Sequence, residues 1–155
     1  MTSEMDRLAA EMKSKADNEA EAKERLQQQV DNWPEQVQGL INTLDEWLAP
    51  LKESGLSTSI KNEHTREHEF SFDIPKYVIE YGTKKATTET TLFAIGCRGR
   101  VDLKGPQSTT LTMVMRETDN DRHVWQKMYK GNNRIETEAL TQDHLVEFMR
   151  KAFKV

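Results

Sequence analysis

Residues 99–116 read Gly99-Arg100-Val101-Asp102-Leu103-Lys104-Gly105-Pro106-Gln107-Ser108-Thr109-Thr110-Leu111-Thr112-Met113-Val114-Met115-Arg116, and the architecture follows from them. Val101 and Leu103 alternate with Arg100, Asp102 and Lys104. Leu111, Met113 and Met115 alternate with Thr110, Thr112 and Arg116. A period of two places one set on a packed face and the other toward water. Gly105-Pro106 between the two runs is a turn signal, so the pair reads as neighbouring antiparallel strands.

The same period extends in both directions. Strands are expected near 56–61, 68–73, 77–82, 88–96, 99–104, 109–116, 122–129 and 134–137, with turns at Asp119-Asn120-Asp121 and Gly131-Asn132-Asn133. Short strands joined by short turns make an antiparallel meander with one wet face. After it, Thr141 is a suitable cap, and Leu145, Phe148, Met149, Ala152 and Phe153 fall at i, i+3, i+4, i+7 and i+8 of a terminal helix.

Before the meander the period is helical. Asn32 as cap, Pro34 in the first turn and Glu35 open a helix carrying Trp33, Val37, Leu40, Ile41, Leu44, Trp47, Leu48 and Leu51. Pro50 ends or kinks it, and Gly55 closes the segment. Residues 4–31 contain no Gly or Pro and are rich in Ala, Glu, Lys, Gln and Arg, which makes a separate first helix. The expected fold is α+β: two N-terminal helices, an antiparallel β-meander and a C-terminal helix packed on the sheet. The expected division is a helical extension, 1–32, and an α+β domain, 33–155.

Composition narrows the function. The net charge of −4 argues against sequence-independent nucleic-acid binding. No apolar run approaches the roughly 20 residues of a membrane helix. The N-terminus lacks the order of a signal peptide, and Cys97 has no second cysteine to pair with. A cytoplasmic protein is expected.

His64-Thr65-Arg66-Glu67-His68 matches H-x-x-E-H, a zinc-hydrolase pattern that needs both imidazoles one turn apart on a helix. Here the segment lies in strand-rich sequence just before Phe70-Ser71-Phe72, so it reads as a charged loop or hairpin tip. Cys97 lies in an expected strand without an activating histidine, and His123 and His144 have no obvious partner. Gly96, Gly99 and Gly105 do not spell a phosphate-binding fingerprint. No catalytic residue, metal or cofactor is expected.

From Trp33 onward the chain resembles small cytoplasmic immunity proteins encoded beside antibacterial polymorphic toxins of the Rhs type, many delivered by type VI secretion. The likeness rests on Trp33-Pro34, on Trp47-Leu48-Ala49-Pro50-Leu51 and on Gly99 to Pro106. Trp125 and Leu140-Thr141 complete it. Within that family it looks most like those acting against toxins that ADP-ribosylate elongation factor Tu. The resemblance implies a non-catalytic antitoxin, a monomer that binds one cognate toxin domain in a 1:1 complex and covers its active site. A type III or type VI secretion chaperone, small, acidic and α+β, is the alternative class.

The expected contact surface is the N-terminal helix. Residues 1–32 carry eight acidic and five basic side chains. Met5, Leu8 and Met12 form an apolar stripe beside Glu11, Asp17, Glu19 and Glu21, which suit a basic partner. Leu26 and Val30 are the expected anchors of this helix. Glu63, Glu67, Asp119 and Asp121, in exposed loops, form the competing surface.

Overall fold

The computed structural model describes residues 3–117 and 123–155. Its elements are α1 (Glu4–Lys52), β1 (Ser57–Glu67), β2 (Phe70–Tyr81), β3 (Lys84–Thr91), β4 (Gly99–Lys104), β5 (Thr110–Glu117), β6 (His123–Lys130), β7 (Ile135–Ala139) and α2 (Gln142–Phe153). The fold is α+β. The chain divides into two compact units, Met1–Asn32 and Trp33–Val155.

A single helix, α1, replaces the two expected before the sheet. Proline at position 34 removes one helical hydrogen bond, but nothing else between Gln28 and Gln36 breaks a helix. Propagating through one defect avoids a second costly nucleation. Asn32, expected as a cap, is a helical residue instead.

α1 runs through Pro50, which was expected to end or kink it, and closes at the expected Gly55. Gly55 adopts φ +103°, its N–H donates to the Lys52 carbonyl at 3.3 Å, and the Leu56 N–H donates to the Leu51 carbonyl at 3.2 Å. These paired bonds are a Schellman closure, in which glycine takes the left-handed position without a Cβ penalty.

Among the described residues seven strands form one antiparallel sheet in the order β1-β2-β3-β4-β5-β6-β7. Eight were expected. The segments 68–73 and 77–82 are one strand, β2, which runs through Pro75. Pro75 is opposed by Asn62 of β1, while β3 pairs only with Val78 to Tyr81. At Pro75 the strand therefore has a ladder on one side only, the setting in which a sheet tolerates proline. The expected strand 88–96 is displaced to Lys84–Thr91. Residues 92–98 leave the ladder because the Glu67 carboxylate takes the backbone N–H groups of Leu92 (2.8 Å) and Phe93 (3.3 Å), and Gly96 turns at φ +79°. The Phe93 ring packs 5.8 Å from Phe70.

In the unit Trp33–Val155 the main core lies between one sheet face and the two helices, but Phe72, Ile74, Val78 and Val114, which alternate onto the opposite face, are buried as well, so the face expected to be wet is partly covered. Trp33, Val37, Leu40, Ile41, Leu44 and Leu48 of α1 are buried, as are Leu145, Phe148, Met149, Ala152 and Phe153 of α2. The facing strands supply Tyr77, Ile79, Ala86, Val101, Leu103, Leu111, Met113 and Met115. Two glycines set the helix positions: Gly99 leaves room only for the Trp33 ring, and Gly105 for Phe148 and Ala152. Trp33 also packs on Trp125, with ring centroids 6.1 Å apart.

Polar anchors complete the packing. Asp45 accepts hydrogen bonds from Tyr77 Oη (2.7 Å), Thr58 Oγ1 (2.8 Å) and Lys52 Nζ (2.9 Å), tying α1 to β1 and β2. Burial raises the Asp45 pKa, but these donors outweigh it and hold the carboxyl below its usual range. Burial, reinforced by Asp45, pushes the Tyr77 hydroxyl well above its usual value. At the start of α2 the Thr141 N–H donates to His144 Nδ1 (3.0 Å), leaving Nε2 to meet Glu138 Oε1 at 2.8 Å. His144 thus links the helix start to β7. On the opposite sheet face Asp102 accepts from Arg100 Nε (3.0 Å) and Thr112 Oγ1 (2.7 Å).

Candidate functional site

The first part of α1 begins as its sequence directs. The Asp6 N–H donates to Ser3 Oγ at 3.0 Å, and the Arg7 N–H to the Ser3 carbonyl at 3.0 Å. Beyond this start the helix buries very little. Every residue from Ser3 to Gln28 is exposed. Met5 is 73% exposed, Leu8 49% and Met12 64%, and their spacing places them on one face. Glu11, Asp17, Glu19 and Glu21 are exposed with them. Of the two expected anchors, Val30 is buried, whereas Leu26 remains 40% exposed. The sequence placed Leu26 on the apolar stripe, but a stripe one alanine wide gives no second surface to cover it.

The hairpin connecting β1 and β2 holds the histidine-glutamate motif. The register closes at Glu67↔Phe70, leaving His68 and Glu69 as a two-residue loop with His68 at φ +54°. The loop expected here is thus confined to His68 and Glu69, because β1, expected to end near residue 61, runs on in register with β2 and takes Glu63, His64 and Glu67 into the strand. His64 lies in the strand, its Nδ1 2.8 Å from Asp73 Oδ1, and His68 lies in the turn, beside the Phe93 ring. A helical pair of imidazoles is not formed. Among the described residues no group of three His, Cys, Asp or Glu side chains is arranged to hold a metal ion.

The hairpin carboxylates divide in role. Glu63 is exposed and lies 3.4 Å from Lys76. Glu67 is half-buried and engaged with the amides of Leu92 and Phe93, so its charge serves the fold. Asp119 and Asp121, with the turn expected between them, lie outside the described residues.

One feature escaped the sequence reading. In the unit Trp33–Val155 the end of α1 and the outer side of α2 enclose an apolar groove of about 260 Å³, lined by Trp47, Pro50, Leu51, Leu145, Val146 and Met149, with Gln142 and Arg150 at its polar edge. A second hollow of about 170 Å³ adjoins it, between Leu51, Leu56, Tyr81 and Phe153, and Val155 borders both. Leu51, Val146 and Val155 are exposed there, although Leu51 belongs to the expected core stripe. Val146 gave the available signal, as an apolar residue off the buried face of α2. Ile95, fully exposed in the segment after β3, was likewise missed because it was read into a strand. The groove offers no acid–base pair or nucleophile; its chemistry is that of a receptacle for an apolar side chain.

No described helix is long and apolar enough to cross a membrane. No family model, curated protein or solved structure matches the chain.

Proposed function

We propose that this chain is an immunity protein, a cytoplasmic antitoxin that binds a cognate antibacterial toxin domain and blocks its active site. The carrying observation is the N-terminal unit. Its helix exposes Met5, Leu8 and Met12 on one face, with Glu19 continuing that face, Glu11 at its flank, and Asp17 and Glu21 on the far side. Helices of ordinary composition gain most of their stability from tertiary packing, so an exposed amphipathic helix of this kind suits a partner-binding role. The resemblance of residues 33–155 to Rhs-associated immunity proteins supplies the class of partner. The stripe docks on the toxin while Glu11, Asp17, Glu19 and Glu21 steer a basic surface toward it.

The test uses the toxin domain encoded in the adjoining reading frame, purified and titrated with the full chain. Tight binding one toxin per chain, with survival of cells expressing both, is the expected result. Deleting residues 1–16 should weaken binding while the remaining domain stays folded. Reversing the four carboxylates should slow association about tenfold at low salt, with the difference shrinking as salt screens it. Unchanged affinity after the deletion would remove this helix from the interface. Capture of an unfolded effector segment in place of a folded toxin domain would overturn the immunity reading in favour of a secretion chaperone.

A further inference from the structure

The sheet ends on β1, whose outer backbone edge has no partner strand among the described residues. The opposite edge, β7, is only five residues long and carries Glu136 and Glu138. β1 is eleven residues long, contains neither Gly nor Pro, and has no buried residue. A long regular edge is a template for strand addition, and natural sheets shield such edges with charge. β1 carries charge too, in Lys61, Glu63, Arg66 and Glu67, and the arrangement of these charges is self-complementary. Lys61 stands directly opposite Lys76 of β2, and Lys76 turns to Glu63 at 3.4 Å. Like charges opposed across strands are unfavourable, so Lys61 finds no complement on the facing strand β2.

We infer that β1 is a seam for a second copy of this chain, paired antiparallel about a two-fold axis through Asn62. Pairing must keep each side chain on its own sheet face, which restricts the axis to a residue position. An axis through Lys61 opposes the two copies of Lys61, and one through Glu63 opposes the two copies of Glu63. An axis through Asn62 matches all eleven residues, from Ser57 with Glu67 to its reciprocal. It sets Lys61 against Glu63 of the second copy twice, Ser59 against Thr65, and joins the two Asn62 amides, each with donor and acceptor. Exposed Ile60 meets the His64 ring on the other face. The interface is isologous and closed, whereas β1 against β7 would propagate an open chain. The seam is independent of the proposed function: each chain still binds one toxin domain, but the assembly is a dimer rather than the monomer expected from sequence, and Glu63 is removed from the surface left for another partner.

Sedimentation equilibrium on the full chain tests this. The mass should rise with concentration toward two chains and stop there. Lys61→Glu and Glu63→Lys should each weaken the dimer about tenfold or more, since each turns two attractive pairs repulsive. The double variant should recover to within about threefold. In a Cys97→Ser background, Asn62→Cys should cross-link on oxidation, because opposed Cα atoms about 4.5–5.5 Å apart suit a disulfide. Ser59→Cys should not, since its copies would lie roughly 20 Å apart along the strands. A monomer at every concentration, continued growth past two chains, or a dimer indifferent to charge reversal and cross-linked at Ser59 would overturn the seam.

Discussion

Replacing Gly99 by alanine adds one methyl group at the point where the sheet approaches α1 most closely. Gly99 opens β4, opposite Met115. A Cβ built there overlaps Cζ3 and Cη2 of Trp33 and lies 3.0 Å from Cε3. Favourable carbon contacts begin near 3.5 Å, so the indole would have to retreat by roughly an ångström or more. Trp33 is fully buried, and its ring is backed by Trp125. Two effects oppose each other. Removing a glycine from a strand gains about 0.5–1 kcal/mol, whereas overpacking a closed core costs about 1–3 kcal/mol and occasionally more. With a fully enclosed indole the upper part of that range applies, and the net loss is about 2 kcal/mol. For a chain of this size that lowers Tm by about 4–8 °C. Calorimetry with near-ultraviolet circular dichroism reads both the loss and the disturbed tryptophan environment. Trp33→Phe removes the ring edge that the methyl group would strike, so the double variant should be more stable than the two losses add to, by about 1–3 kcal/mol. A Gly99→Ala protein that melts above the parent, or strict additivity with Trp33→Phe, would refute the close approach.

Asp45→Asn should cost about 1–2 kcal/mol at neutral pH, because three donors lose a charged acceptor. Since the folded pKa of Asp45 lies below its unfolded value of about 3.9, the advantage of the parent should be full above that pH and vanish as pH falls through the lower folded value, as read by urea midpoints. Glu67→Ala should release the Leu92 and Phe93 amides and cost about 1–3 kcal/mol; their hydrogen exchange should accelerate selectively, and continued protection would deny the carboxylate its role. Leu44→Ala should cost about 2–5 kcal/mol in denaturant unfolding, and Trp47→Ala less than a fully buried tryptophan would, because Trp47 borders the open groove. Pro34→Ala should raise Tm by restoring a helical N–H, while Asn32→Ala should be nearly silent; the reverse pattern would restore a helix start at Asn32.

The sheet was legible where alternation and turns agreed. Val101, Leu103, Leu111, Met113 and Met115 share the packed face expected of them, and the turn at Gly105-Pro106 lies between their strands. Legibility failed where a distant side chain governed the backbone. Nothing local to Leu92 and Phe93 announces that Glu67, far back in the chain, will satisfy their amides, so an apolar run with strand propensity leaves the ladder. Pro34 and Pro75 misled for a related reason. A proline forbids one hydrogen bond and marks a probable boundary, but whether the element ends depends on what surrounds it. At Pro75 the absent β3 partner makes the missing N–H tolerable; at Pro34 the helix continues past a single defect. The candidate surfaces divide in the same way. Met5, Leu8 and Met12 were readable because helical spacing alone aligns them, and nothing in the sequence offered a core to receive them. The groove beside Trp47 and Val146 was not, because it is bounded by two helices whose meeting is set by Phe148 and Ala152 seating at Gly105. A concavity between elements is a property of their packing distance, and periodicity reports only which face of each element is apolar.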